Sequence, residues 1–484
     1  MSYSSPIFLF AFLPLVLSAY LALPSLRVRN ALLLGASLVF YAWGEGIYVG
    51  LLLLSIGANH GFGLCQERLR GTRGGAWTLA LALVANLGLL GAFKYAGFAA
   101  DNLNAVLAEL GLPGVGRPTI HLPIGLSFYT FQALSYVLDI HMRGESAQRN
   151  PLNTALYVAS FPQLILGPIV RYRHIAGEIT GRLIRVEDFA EGAGRFIIGL
   201  GKKVLIADTI AVAVDAVFAV PLNALTPGLC WLGVAGFALQ LYYDFSGYSD
   251  MAIGLGRMFG FHFRENFNYP LFARSRSDFF RRWHISFFTW MRDYVYLPLC
   301  GTRCPVWRER ANSLFVFLLA GIWHGSTWGF IAWGAVNGLV IVAERSWLLH
   351  HVQRWWLPLQ HAYMLLIHLL SNALFRAQSV EQAWAILLGM VGIAKGGAVP
   401  HEVGRFLTAD LAAAMVVGAA FSMPIVPWVI AWWRNSIEPR LGPGRGPALA
   451  GLAVPVLIGH GAILLAAALV LAARTYTPFV YFQF

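Results

Sequence analysis

The stretch Ser313–Trp333, SLFVFLLAGIWHGSTWGFIAW, holds one ionisable side chain, His324, in an otherwise apolar run. The nearest upstream charge, Arg310, lies 14 residues back. At a helical rise of ~1.5 Å per residue that is roughly 20 Å. With Arg310 at a membrane surface, His324 falls near the midplane of a ~30 Å hydrocarbon core. An ionisable group there is unfavourable and marks a candidate functional site. The alternative is a histidine hydrogen-bonded between helices with no chemical role.

The rest of the chain has the same character. Of 484 residues, 58% are hydrophobic and 12% charged, and mean hydropathy is +0.62. Soluble domains carry about 25% charged residues. The composition therefore excludes an ordinary soluble protein and predicts an all-α polytopic membrane protein, read as one transmembrane domain over 1–484. The net charge of +12 suits arginines between spans and anionic headgroups, not nucleic acid. Cys65, Cys230, Cys300 and Cys304 form no zinc set, and read as small apolar or interfacial residues. No basic segment precedes the first apolar run, which reads as a retained span.

Apolar runs of spanning length predict about ten to twelve spans, with re-entrant and interfacial pieces. Arg27 and Arg29 follow the first run, placing that end in the cytoplasm and the N-terminus outside. The next two runs form a hairpin through Gly44-Glu45-Gly46 and return to Arg68, Arg70 and Arg73. Residues 152–170 have basic residues at both ends, and their centre, FPQLILGPIV, contains two prolines and a glycine. That predicts a re-entrant segment lining a cavity open to the cytoplasm. Residues 264–312 form a polar belt, with nine arginines against four acids between 264 and 310, interleaved with aromatics. Such a mixture predicts interfacial helices and an entrance for an anionic substrate.

Within the belt, Arg281-Arg282-Trp283-His284-Ile285-Ser286 places a second histidine 40 residues before His324. Spacing alone does not bring the two together. Asp244 and Asp250, in LYYDFSGYSDM, either pair with cations or orient a histidine; Asp244, nearest the apolar run, is the better candidate. Lys202-Lys203 reads as a cytoplasmic turn. No G-x-S-x-G, Rossmann or P-loop pattern occurs.

RRWHIS, TWMRDYVYLPL and GIWHGSTWGFIAWG, taken together, resemble the membrane-bound O-acyltransferase (MBOAT) family. So do LPIGLSFYTFQALSYVLDIH, FPQLILGPIVRYRHI, GLGKKVLIAD, QLYYDFSGYSDMAIGLGRMFGF and the closing PFVYFQF. The resemblance covers most of the chain and is strongest to the bacterial branch that acetylates polysaccharides. The ENFNYP segment departs from the branch pattern at Leu271, where Tyr is usual.

The resemblance implies a helical bundle pierced by a tunnel. His324 would be the essential catalytic residue, and His284 matches the family's second position, Asn or His depending on branch. His324 would act as general base on an acceptor or relay hydroxyl attacking the thioester of acetyl-CoA. His284 would hold the donor or polarise its carbonyl. Arg281, Arg282, Trp283 and Trp323 would help bind the donor, and no metal is required. Implied partners are the lipid bilayer, a periplasmic SGNH-hydrolase-like acetyltransferase and other exopolysaccharide machinery at the inner membrane. Alginate is the first polymer implied, then acetylated cellulose or another glycan; D-alanylation of teichoic acid ranks lower. From the residues alone a competing reading stays open: a transporter or flippase with His324 as proton relay.

Overall fold

The computed structural model describes residues 1–301, 303–393, 402–440 and 445–473. The closing PFVYFQF motif lies outside them. No strand occurs among the described residues. The chain begins with α1 (Leu13–Ala22), α2 (Leu26–Glu45), α3 (Val49–Arg68) and α4 (Arg73–Glu109). Then follow α5 (Leu126–Arg143), α6 (Pro151–Ala159), α7 (Phe161–Leu164), α8 (Tyr172–Gly181), α9 (Val186–Gly201), α10 (Asp208–Phe218) and α11 (Pro227–Met258). The polar stretch holds α12 (Arg276–Arg282), α13 (Ile285–Met291) and α14 (Leu297–Cys300). The remainder comprises α15 (Val306–His324), α16 (Trp328–Ala343), α17 (Leu349–Val352), α18 (Leu357–Arg376), α19 (Val380–Met390), α20 (Ala409–Phe421), α21 (Ile425–Trp432) and α22 (Arg445–Ala473).

Local chemistry explains many boundaries. Ser25, Thr72, Asn150, Thr226 and Ser379 each accept a backbone N–H from the first turn of their helix, satisfying donors the helix cannot. The tract Leu26–Arg68 is 43 residues long, about twice a ~30 Å core. Gly46, at φ +54 and ψ −119, breaks it into two 20-residue helices. A residue with a Cβ is strained there, so the Gly44–Gly46 turn falls where the sequence predicts it.

Three described tracts are long and apolar enough to cross a membrane: Leu26–Arg68, Arg73–Glu109 and Val454–Ala473. A bent pair, Ala409–Phe421 with Ile425–Arg440, makes a fourth. This is fewer than the ten to twelve expected from apolar runs. The difference is physical: α5, α11 and α18 are long enough, but bury polar groups such as Gln132, Asp139, Gln240, Asp244, His368 and Asn372. Helices enclosed by other helices need not be apolar all round.

The central helix α11 packs against α7, α9, α10, α18, α19 and α20. Helix α5 lies against α3, α4, α6 and α8, and α15 and α16 form an antiparallel hairpin. That hairpin depends on small residues: a Cβ on Gly334 would lie 2.5 Å from the Phe317 carbonyl. Close backbone approach of this kind is how membrane helices associate without a hydrophobic driving force.

The segment 152–170 is broken into short helices, as its prolines require. Helix α6 has nine residues, about 13 Å at the helical rise, too short to cross. Every residue from Phe161 to Val170 is buried, so the irregular backbone after α7 is sheltered by protein.

The belt differs from expectation. Phe279, Phe280, Trp283, Phe287, Trp290 and Tyr294 are buried, and so is Arg276. These side chains of α12, α13 and the turn after α13 pack into the protein interior, while Arg281, Arg292 and residues 297–299 stay exposed. Arg276 is fixed there by Asn337 (2.6 Å) and by Ser371 and His368 (3.2 Å each). Lys202 and Lys203 do not mark a turn either: they sit in a π-helical stretch, Lys202–Ala207, that carries α9 into α10. Cys300 and Cys304 are joined by a disulfide, which corrects their reading as separate apolar residues. Gly301, at φ +69, turns the chain back and brings the two Cα atoms to 5.1 Å.

Candidate active site

His324 is the last residue of α15. Its helix ends because Gly325 is extended (φ −163, ψ 167), and α16 begins three residues later. The imidazole is 4% exposed and packed among Trp323, Trp333, Phe375 and Phe287, with ring centroids 4.9, 5.2, 5.3 and 5.8 Å away.

His284 lies in the link between α12 and α13 with φ 47 and ψ 52. Only Tyr269 shares a positive φ among the described non-glycine residues, and such backbone persists only where its surroundings enforce it. Asn266, fully buried, does the enforcing. Its Oδ1 accepts from Ser286 N (3.1 Å), Ser286 Oγ (2.8 Å) and His284 Nδ1 (3.2 Å). Its backbone carbonyl accepts Ile285 N at 2.9 Å. An amide oxygen only accepts, so Nδ1 of His284 carries the proton. In the neutral ring, Nε2 then presents a lone pair, and no described residue hydrogen-bonds to it.

The two histidines share one aromatic pocket. Phe287 stacks on His284 at 5.1 Å and contacts His324 at 5.8 Å. Trp323 lies 5.9 Å from His284 and 4.9 Å from His324. Phe245 closes the far side of His284 at 4.6 Å. The structure thus joins the two positions that spacing alone left apart.

Cavities flank this pocket on two sides. A chamber of about 390 Å3 is lined by His324, Trp323, Phe128, Lys94 and the turn residues Ile165 and Leu166. It shares Lys94, Ile120, His121 and Leu122 with a larger cavity of about 890 Å3. That cavity is rimmed by Arg117, Asp101, Asn102, Ser326, Trp328 and Gln378. On the other side, a narrow pocket of about 80 Å3 is lined by Arg171, Arg264, His174, His262 and the α13 residues Ile285, Ser286 and Thr289. The chamber and the narrow pocket share no lining residue. The segment Ile165–Arg171 and the aromatic pocket lie between the chamber and the narrow pocket.

The narrow pocket carries two arginines, Arg171 and Arg264, against one carboxylate, Glu265. Arg171, 2% exposed, pairs through Nη1 with Asp293 at 2.6 Å. Burial alone would raise the Asp293 carboxyl, but Arg171 and Arg292 outweigh it and hold it below its usual value. Burial, and then Arg264, Arg173 and Arg171, push His174 down to about 4, so it is neutral at cellular pH.

The remaining sequence candidates sit elsewhere. Asp244 ion-pairs with Lys203 at 2.9 Å, and Lys203 also holds Asp208 at 2.6 Å. The group that orients His284 is Asn266, not a carboxylate. Arg281 is exposed, Arg282 bonds to Asp278 at 2.9 Å, and Trp283 stacks on Phe279 at 5.4 Å. Trp323 alone of the four donor candidates lines a cavity beside a histidine. Sequence reasoning passed over Lys94, Asn266 and Arg171.

A family model, MBOAT, membrane-bound O-acyltransferase family, matches residues 119–389. That is more than half of the chain and includes both histidines. The chain belongs to the membrane-bound O-acyltransferase family. Among its MBOAT relatives is the "Probable alginate O-acetylase AlgI" of Azotobacter vinelandii, 38% identical over the whole of both chains. The "Peptidoglycan O-acetyltransferase" of Helicobacter pylori is 34% identical over 81% of this chain and 80% of its own. More distant is the "Teichoic acid D-alanyltransferase" of Bacillus subtilis, 26% identical over 51% of this chain and 66% of its own. Membership makes the protein an acyltransferase and a multi-pass membrane protein. The transporter reading is not favoured.

Proposed function

We propose that this MBOAT enzyme takes acetyl groups from acetyl-CoA at the cytoplasmic face of the inner membrane and passes them outward for O-acetylation of a secreted glycan. Alginate is the first candidate, given what the full-length relatives are called. The observation that carries the reading is the shared aromatic pocket of His284 and His324, with an arginine-bearing pocket on one side and a large cavity of mixed lining on the other.

The roles follow from the geometry. His324 accepts the proton of an acceptor or relay hydroxyl, whose oxygen attacks the thioester carbonyl; the carbon–sulfur bond breaks and the thiolate takes up a proton. Two roles were expected of His284: holding the donor or polarising its carbonyl. With Nδ1–H given to Asn266, its Nε2 is an acceptor, which suits the first role, by accepting an amide N–H of the donor. Arg171 and Arg264 suit the anionic end of the donor better than Arg281 and Arg282 do. The basic ends of α3 and α4, read by the positive-inside rule, support a periplasmic N-terminus with the large cavity on the same side. There an SGNH-hydrolase-like acetyltransferase and other exopolysaccharide subunits would receive the group. The whole chain, 1–484, would act as one unit.

The test is glycan-bound acetate in the native host, comparing wild type with His324→Ala and His284→Ala at matched membrane levels. Acetate lost from a glycan that is still secreted is the expected result. Unchanged acetylation in His324→Ala would remove the assignment.

A further inference from the structure

Helix α4 carries one charge between Arg73 and Asp101, and it is Lys94. A lone ammonium in an apolar helix needs partners. It finds them at the end of the helix that bears His324. Nζ of Lys94 donates to the carbonyls of Trp323 and, at 3.2 Å, of His324. The next residue, Tyr95, donates its hydroxyl to the carbonyl of Ile322. Three successive carbonyls of the last turn of α15, which have no intrahelical donor, are thus taken by two neighbouring side chains of α4. A cation there also complements the negative end of the α15 dipole.

Lys94 also lines both the chamber beside His324 and the large cavity beyond it. An ammonium has three N–H donors and two go to carbonyls. It lies outside the residues matched by the family model.

We infer that Lys94 is a positioning residue: it fixes the end of α15, and so the direction of the His324 ring, from the neck between the two cavities. The inference rests on the acyltransferase reading of His324. Apolar packing already surrounds the imidazole, but rings in van der Waals contact do not set the backbone from which it projects. Displacing a reacting group by ~1 Å lowers turnover by about a hundredfold.

The experiment uses the full chain in lipid nanodiscs with acetyl-CoA as the probe, reading CoA release for wild type, Lys94→Met, Lys94→Arg and His324→Ala. Lys94→Met should lose about 10–100-fold in kcat, with KM for acetyl-CoA within about twofold, because the donor pocket lies on the other side. Lys94→Arg, which can still donate to both carbonyls, should recover a large part. Where Lys94→Met does not purify as a monodisperse protein, Lys94→Leu is read the same way. Wild-type kcat in the Met or Leu variant overturns the inference. So does an equal loss in Lys94→Arg at a matched thermal midpoint. Wild-type turnover in His324→Ala would instead sink the parent reading, and the two failures are told apart by which variant stays active.

Discussion

At the scale of single residues, the site is built on one amide. Asn266 accepts three hydrogen bonds at Oδ1 and so sets both the ring and the tautomer of His284. Asn266→Ala should lower acetyl transfer by about tenfold or more, and stability by about 1 kcal/mol, because the half-buried Ser286 donors lose their acceptor. Glycan acetate and a thermal melt check the two parts. His174 gives a pH prediction. Its folded-state pKa, about 4, is below the ~6.5 of an unfolded histidine. The unfolded chain therefore binds the extra proton first, and stability present above pH ~6.5 is lost as pH falls toward ~4. His174→Gln should flatten the fall in thermal midpoint over that window. An unchanged slope would show that other groups cause it. His324 was legible in the sequence because an ionisable residue in an apolar run breaks a simple rule. Lys94 breaks the same rule but stands near the end of its run, where a cation reads as an interface anchor. Asn266 carries no charge, and only the fold shows that it meets residues 18 to 20 positions on.

At the scale of elements, the α15–α16 hairpin decides where His324 points. Gly334→Val puts side-chain atoms where the Phe317 carbonyl now sits; overpacking of this kind costs about 1–3 kcal/mol. A fall in thermal midpoint with reduced CoA release is the expected outcome, and a variant with wild-type values would mean the hairpin can spread without harm. The broken segment at 152–170 could be read from its prolines and its basic flanks. The belt could not. Arginines mixed with aromatics fit an interfacial helix and a buried one equally well, and composition does not distinguish them. What settles it is packing: Trp290 donates to the Phe131 carbonyl at 3.2 Å, and Phe131 lies 4.3 Å from its ring. That contact joins α13 to α5 across 159 residues of sequence.

At the scale of the whole molecule, the all-α membrane class is plain from composition, but the number of crossings is not, because enclosed helices carry polar faces. Orientation is open to direct test. Ile47, 88% exposed between α2 and α3, should be outside, and Arg73, at the start of α4, inside. With Cys65 replaced by Ser, Ile47→Cys should react with a membrane-impermeant maleimide in intact spheroplasts. Arg73→Cys should react only after permeabilisation. The reverse pattern would invert the orientation and with it the sides assigned to donor and acceptor.

The chamber and the arginine-bearing pocket share no lining residue, and between them lie Phe287, Trp323 and a buried turn. A hole joining the two faces of an energised membrane would let ions run down the potential, releasing ~2.3 kcal/mol per charge per 100 mV. An enzyme that passed acetyl from one face to the other, as proposed, would have to hand over an uncharged group while keeping that current at zero. Rings packed around two histidines would then serve as an insulating plug, and the stacking that holds the two imidazoles would also protect the cell's energy supply.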